Sequence, residues 1–275
     1  MPSVSGTFGP SATGTPRPGF GEAYGLWLAQ ERNITALSTH MNNYAVVSRE
    51  LKTAFEESPF WQHTLSALRE ADDRYAVAYK FPLISTFTPD VLIKPWDSFY
   101  EKSFRKNITQ NKNFPDAPDD GWCTPPSWYS QIHDIVRTTI IVKYIDGVPI
   151  ILRTLVDNAI TEGLVQTSEL ETREDGYYGA HFNLHMECQI PTMAWEKKKR
   201  TIQFEIQVTT QIKDVIKRLL HTYYETHRLT GKRTLLSDIA WNYNDDEFVA
   251  TYLGHILHFV EGMIIDARDR RMRNA

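Results

Sequence analysis

The sequence predicts an α/β fold of the α+β kind, with a mixed central sheet of about five strands flanked by helices, an N-terminal helical layer and a C-terminal helix. Three observations carry this expectation. Apolar residues recur at three- and four-residue intervals through residues 22–79. A β-branched run, Ile135-Val136-Arg137-Thr138-Thr139-Ile140-Ile141-Val142, reads as a central strand. The stretch Phe204-Glu205-Ile206-Gln207-Val208 alternates apolar with polar side chains, as a half-buried strand does.

Composition bounds the answer. A chain of 275 residues buries a full core without disulfides or metal, so one globular domain with a helical appendage is expected. Cys123 and Cys188 lie far apart and form no CxxC pair, which fits a reducing cytoplasm and argues against a disulfide framework or zinc ribbon. A net charge of −4 and a pI near 6.1 argue against a protein that coats nucleic acid, so such a contact would need a local patch. No apolar run approaches the ~20 residues of a membrane span. The N-terminal residues lack the basic start and apolar stretch of a secretory signal.

Taken in order, residues 1–21 are rich in Gly, Pro, Ser and Thr and are expected to be a disordered tail. Residues 22–80 form a helical layer, punctuated at Asn42-Asn43 and at Ser58-Pro59, where Ser58 is the N-cap and Pro59 the first helical residue. Next, Val91-Leu92-Ile93 is a short strand that turns at Pro95 into a basic helix capped by Asp97. Lys102, Arg105 and Lys106 then share one turn, suited either to a polyphosphate or to solvent. The proline-rich residues 107–128 read as an irregular loop that orders with ligand.

Asp134 opens the next strand. A buried acid there needs either a metal ion or a salt bridge, for which Arg137 and Lys143 are the nearest cations. After a turn at Asp146-Gly147, residues 148–164 read as a helix, 164–170 as a strand and 181–190 as another. Between those strands, Gly176-Tyr177-Tyr178-Gly179 is either an ordinary turn or a loop that presents an aromatic ring to a flat ligand. Lys197-Lys198-Lys199-Arg200 sits in the connection to the strand at 201–208, whose Glu205 and Gln207 share one face. Residues 209–229 read as a helix, 241–246 as a polar loop and 247–270 as a last helix with an Arg-rich end.

Two carboxylates, Asp134 and Glu205, from different strands of one sheet and near a basic helix, suit a magnesium-nucleotide site: oxygen ligands for the metal and cations for the remaining phosphate charge. In this order and spacing, Lys94, Ser98 and Lys102, Asp134, Gly176-Tyr177 and His181, Glu205 and Gln207, and Asp214 and His221 resemble the synthetase domain of the RelA/SpoT enzymes and their small stand-alone relatives. The resemblance covers residues 81–230, with 231–275 as a C-terminal helical extension.

The resemblance implies transfer of the β,γ-pyrophosphate of ATP to a ribose 3′-hydroxyl. It implies Mg²⁺ on Asp134 and Glu205, with Glu205 also taking the hydroxyl proton. Lys94, Ser98, Lys102, Arg105 and Arg137 would bind ATP, and Tyr177, His181, Gln207 and His221 the acceptor side. Where guanosine-specific relatives carry an arginine shortly after the glutamate, this chain has Thr209. Where they have a glutamate before the helix histidine it has Leu220, and at an arginine position after the metal aspartate it has Thr139. The phrases Gly176-Tyr177-Tyr178-Gly179-Ala180-His181 and Gln207-Val208-Thr209-Thr210-Gln211 look more like the toxic small alarmone synthetases of toxin-antitoxin pairs.

That branch implies an acceptor at the tRNA 3′ end or among adenine nucleotides, and an antitoxin partner. Two basic patches are then candidate tRNA contacts: Lys197, Lys198, Lys199 and Arg200, and the C-terminal Arg268, Arg270, Arg271 and Arg273. The first could equally be a solvated turn, and the second a complement to the helix dipole. The alternatives are a (p)ppGpp synthetase using GDP or GTP and, from another class, an inactive nucleotide- or partner-binding module. Zinc is not expected. His181 and His185 are about 13 Å apart along a strand, and His133-Asp134 and the pair His255 and His258 lack further ligands.

Overall fold

The computed structural model describes residues 16–125, 127–172, 177–191, 196–219, 243–244 and 246–274. The expected tail lies mostly outside them, as do Gly176, residues 220–229 of the expected helix, with Leu220 and His221, and residues 241, 242 and 245 of the expected loop. The chain divides into two compact units, one of Met1–Leu51, Ile93–Val136 and Glu187–Ile202, the other of Lys52–Leu92, Arg137–Met186 and Gln203–Ala275.

The first unit is built on aromatic packing. Helix α1 (Glu22–Arg32) buries Tyr24 and Leu28 against Tyr100 and Phe104 of α4 (Trp96–Phe104), with Ile108 and Phe114 completing the cluster. A π-helical turn, Arg105–Thr109, continues α4. The segment expected to order with ligand is instead tied down by its own amides. Asn107 donates to the Tyr24 hydroxyl (2.8 Å) and to the Cys123 carbonyl (2.9 Å), and accepts from the Cys123 N–H (2.8 Å). Asn111 donates to the Asp116 carbonyl at 2.8 Å, and the short helix α5 (Trp128–Gln131) follows.

Helix α2 (Leu37–Glu56) runs through Asn42 and Asn43 without a break. Burial of Tyr44, Val47, Leu51 and Phe55 outweighs the weak helix propensity of two asparagines. Helix α3 (Pro59–Tyr79) starts as expected: the Ser58 side chain accepts from the Trp61 N–H, and Pro59 stands at the first helical position.

The second unit carries the sheet, in the order β1-β2-β5-β4-β3. Its strands are β1 (Val91–Ile93), β2 (Val136–Val142), β3 (Val165–Thr172), β4 (Tyr178–Pro191) and β5 (Lys197–Thr210), one end each of β1, β2, β4 and β5 lying in the first unit. Strands β2 and β5 pair in parallel, joining Arg137 to Glu205 and Thr139 to Gln207, and β3 and β4 form an antiparallel pair.

Because strand side chains alternate, β2 sends Val136, Thr138, Ile140 and Val142 into the core, and β5 sends Phe204, Ile206 and Val208. Phe204 stacks on Phe55, and Phe182 of β4 on Phe60 of α3. The opposite face keeps the polar residues. Helix α6 (Gly147–Thr161) follows β2 and is linked to α3 by the Asn158 to Thr64 hydrogen bond. Helix α7 (Gln211–Leu219) opens on Thr210, whose hydroxyl accepts from the Lys213 N–H. Helix α8 is Asp246–Arg273.

Several expectations are corrected. Asp97 lies in the first turn of α4 and Pro95 occupies the cap position, without a side-chain cap bond. Asp134 lies in the turn just before β2 and does not open the strand; its carboxylate is held by Lys94 and Lys102. Lys197–Arg200 starts β5 instead of lying in a connection, and Lys199 ion-pairs with Glu187 of β4. Thr209 and Thr210 end β5, so helix α7 starts later than the periodicity indicated.

Candidate active site

In the first unit, the basic helix and the turn before β2 meet at Asp134. Lys94 Nζ donates to Oδ2 at 2.9 Å and Lys102 Nζ to Oδ1 at 2.8 Å. Burial alone would raise this carboxyl group, but Lys102 and Lys94 overrule it and hold Asp134 well below the usual aspartate range. The partners are therefore neither Arg137 nor Lys143. Lys94 is fixed on three sides: its side chain is 4% exposed, its N–H donates to the Ile135 carbonyl, and its own carbonyl accepts from the Tyr44 hydroxyl at 2.6 Å. Ser98 is half-buried one turn before Lys102. Arg105 turns to Glu101 at 2.6 Å, so its charge is met on its own helix.

In the second unit, the polar face of the sheet carries a connected row of side chains. His181 on β4 faces Glu205 on β5 through Nδ1 at 2.8 Å. Its Nε2 lies 2.9 Å from the Tyr177 hydroxyl and 3.0 Å from Glu171 on β3. The hydrogen bond to Glu205, with the charges of Glu205 and Glu171, raises the histidine's pKa against the effect of burial. Gln207 donates from Nε2 to Glu205 at 3.1 Å, and Lys217 of α7 donates to Gln207 Oε1 at 3.0 Å. That lysine fixes which end of the amide faces the carboxylate.

Tyr177 lies beside this row, with Lys213 Nζ 5.5 Å from its ring centre. A Cβ at Gly179 would come 3.1 Å from the Tyr177 hydroxyl, so a larger residue there would push the ring by a few tenths of an ångström. Arg137 stands opposite Glu205 in the β2–β5 register.

These side chains can orient a carboxylate, balance phosphate charge and cover a flat ring. They offer no thiolate nucleophile, since burial pushes Cys188 up to about 11 and Cys123 up to about 12. Four contributors were not singled out from sequence: Glu101, Glu171, Lys213 and Lys217. The i, i+4 spacing of the two lysines on α7 was the available signal, whereas nothing local distinguished Glu171 from Glu169, the other acid of β3.

The C-terminal basic patch is reduced. Arg268 is buried, ion-pairs with Asp146 at 2.9 Å and lies 3.8 Å from the centre of the Tyr79 ring, and Arg270 pairs with Asp266. Among the described residues no cluster of three or more His, Cys, Asp or Glu forms a metal site, and no helix is long and apolar enough to cross a membrane.

No family model matches the chain, and no curated protein does. Among solved structures it is similar to the small alarmone synthetase 2 from Bacillus subtilis (16% identity, TM-score 0.45, covering 77% of this chain and 96% of that one). It is also similar to a GTP pyrophosphokinase family protein from Streptococcus pneumoniae (18% identity, TM-score 0.45, 80% and 95% covered). A third is the small alarmone synthetase 1 from Bacillus subtilis bound to its product pppGpp (16% identity, TM-score 0.44, 77% and 97% covered). The structural neighbours are thus small alarmone synthetases and a GTP pyrophosphokinase family protein.

Proposed function

We propose that this chain is an ATP pyrophosphotransferase that moves the β,γ-pyrophosphate of ATP onto the 3′-hydroxyl of a tRNA end or an adenine nucleotide, as a toxin-type small alarmone synthetase. The observation that carries the reading is Glu205, a carboxylate held in one orientation on the polar face of β5 by His181 and Gln207. Such a group takes the proton of the attacking hydroxyl. The 3′-oxygen forms a bond to the β-phosphorus, the bond from that phosphorus to the α-phosphate oxygen breaks, and AMP leaves with the electron pair.

Lys94 and Lys102 counter the phosphate charge, joined by Arg105 and Arg137, and Ser98 supports that side. Tyr177 covers the acceptor base, while His181 and Gln207 act through Glu205. Lys197, Lys198 and Arg200 contact the tRNA phosphates. The donor set fits Mg²⁺: Asp134 stays ionised, its ligands would be hard oxygens, and magnesium bound through one or two carboxylates and substrate phosphates needs no larger protein cluster. Asp134 and Glu205 would hold it, and when bound it neutralises phosphate charge.

Thr139, opposite Gln207, and Thr209, two residues beyond it on the same strand face, are uncharged, which supports an acceptor other than a guanine nucleotide. Incubation with labelled ATP, Mg²⁺ and, in turn, deacylated tRNA, AMP, GDP and GTP tests the reading. Label on tRNA or AMP is expected. Label confined to guanosine products would replace the toxin reading with a (p)ppGpp synthetase, and no transfer to any acceptor would leave a binding module.

A further inference from the structure

Helix α8 lies in the extension that follows the residues carrying the resemblance, and it is anchored at two places within its own unit. At one, Arg268 bonds Tyr75 and Asp146. At the other, Glu261 accepts from the hydroxyl of Tyr178, the first residue of β4. Glu261 is 3% exposed. Burying a carboxylate to dock a helix is unfavourable, because an apolar side chain in the same place needs no partner. Burial raises the pKa of Glu261, opposed by the Tyr178 and Thr210 hydroxyls and by the charges of His258 and Lys213. Burial and the same carboxylate push the Tyr178 hydroxyl up, so it stays a donor at neutral pH.

This anchor leads to the ring beside the Glu205 row. Tyr178 is the chain neighbour of Tyr177, and the two rings share one ammonium group: Lys213 Nζ lies 5.5 Å from the centre of the Tyr177 ring and 5.0 Å from that of Tyr178. Lys213 is itself buried, and its charge acts on Glu261. His258, one turn before Glu261, packs on Tyr178 with 4.3 Å between ring centres. Glu261 therefore reaches Tyr177 by two routes, the peptide bond from Tyr178 and the shared lysine. We propose that Glu261 is a positioning residue for the acceptor, holding Tyr178 and so setting the Tyr177 ring against the acceptor base, a role that rests on the covering function proposed for Tyr177 above.

The test removes one hydroxyl at each anchor of α8, Tyr178→Phe and Tyr75→Phe, and adds Glu261→Leu and Glu261→Gln. With whichever acceptor takes label from ATP, Tyr178→Phe and Glu261→Leu should raise acceptor KM about 3- to 10-fold, less than the loss of a whole stacked base, with ATP KM unchanged. Glu261→Gln keeps an oxygen that accepts from Tyr178 and should stay within about 2-fold of wild type. Tyr75→Phe should lower the melting temperature and leave acceptor KM at the wild-type value. Site-specific 3-fluorotyrosine at position 177 supplies a readout that needs no turnover. Its fluorine resonance should shift or broaden in Tyr178→Phe and Glu261→Leu, but not in Tyr75→Phe. A resonance unmoved by the first two variants, an equal change in Tyr75→Phe, or a rise in ATP KM parallel to that of the acceptor would each overturn the role of Glu261. Absence of transfer by the wild type would overturn the proposed reaction instead, and the resonance would still decide whether Glu261 sets Tyr177.

Discussion

Asp134, in the first unit, sits between two ammonium groups, whereas Glu205, in the second, is held by an imidazole and an amide. The first arrangement is mostly charge: a carboxylate 16% exposed, with Lys94 almost fully buried beside it. The second is mostly direction, because imidazole and amide donors fix where the carboxylate points. Removing charge from the first leaves the buried Lys94 and the partly exposed Lys102 without their shared counter-charge, while removing it from the second leaves His181 the carboxylate of Glu171 and Gln207 the ammonium of Lys217. Stability is therefore expected to depend on Asp134, and catalysis without stability on Glu205.

The largest effect should come from Glu205→Gln. Loss of a positioned general base costs about 10²–10⁴-fold in transfer, while the melting temperature and ATP affinity change little. Wild-type turnover in that variant would remove Glu205 from the chemistry. Asp134→Asn should also abolish transfer, but with a loss of about 3–5 kcal/mol in unfolding free energy, because two lysines lose their counter-charge in a largely buried place. The depressed acid contributes stability above the ordinary value of 3.8 and loses it as pH falls through its folded pKa. The gap between wild type and Asp134→Asn should thus narrow in acid, as denaturant melts at pH 7 and in acid would record.

Tyr177→Ala should lower acceptor kcat/KM by about 5- to 100-fold, the cost of one stacked base. Unchanged acceptor kinetics would count against that assignment. His181→Asn tests the other end of the row. The raised histidine contributes stability below its ordinary value of 6.5 and loses it as pH rises through the folded pKa, so the difference in melting temperature from wild type should shrink on the alkaline side. The smallest change is expected from Lys197→Ala with Lys198→Ala: weaker tRNA binding and a salt dependence shallower by about one to two counterions, with transfer to AMP unaltered.

Much of this was legible in the sequence. Period-two alternation placed Glu205 and Gln207 on one face of β5, and the Ser58-Pro59 start of α3 was readable because cap and proline chemistry are local. Asp134's partners were not, since Lys94 and Lys102 lie 40 and 32 residues away and the nearer Arg137 and Lys143 were the visible candidates. Glu171 reaches His181 only through the β3–β4 pairing, which no local pattern specifies. Arg268 looked like a surface charge in an Arg-rich run, and only tertiary packing against Tyr75, Tyr79 and Asp146 shows it buried. The continuity of α2 through Asn42-Asn43 was likewise decided by burial on its other face.

The central claim is that pyrophosphate moves as a unit to a 3′-hydroxyl. Phosphorus NMR of the protein with ATP, Mg²⁺ and deacylated tRNA or AMP measures this directly. With tRNA, AMP should form in a one-to-one ratio with the 3′-pyrophosphorylated end; with AMP as acceptor, each ATP consumed should give one 3′-pyrophosphorylated AMP at constant total AMP; Glu205→Gln should give neither product. Release of ADP with transfer of a single phosphate, or of free pyrophosphate with an unmodified acceptor, would contradict the account.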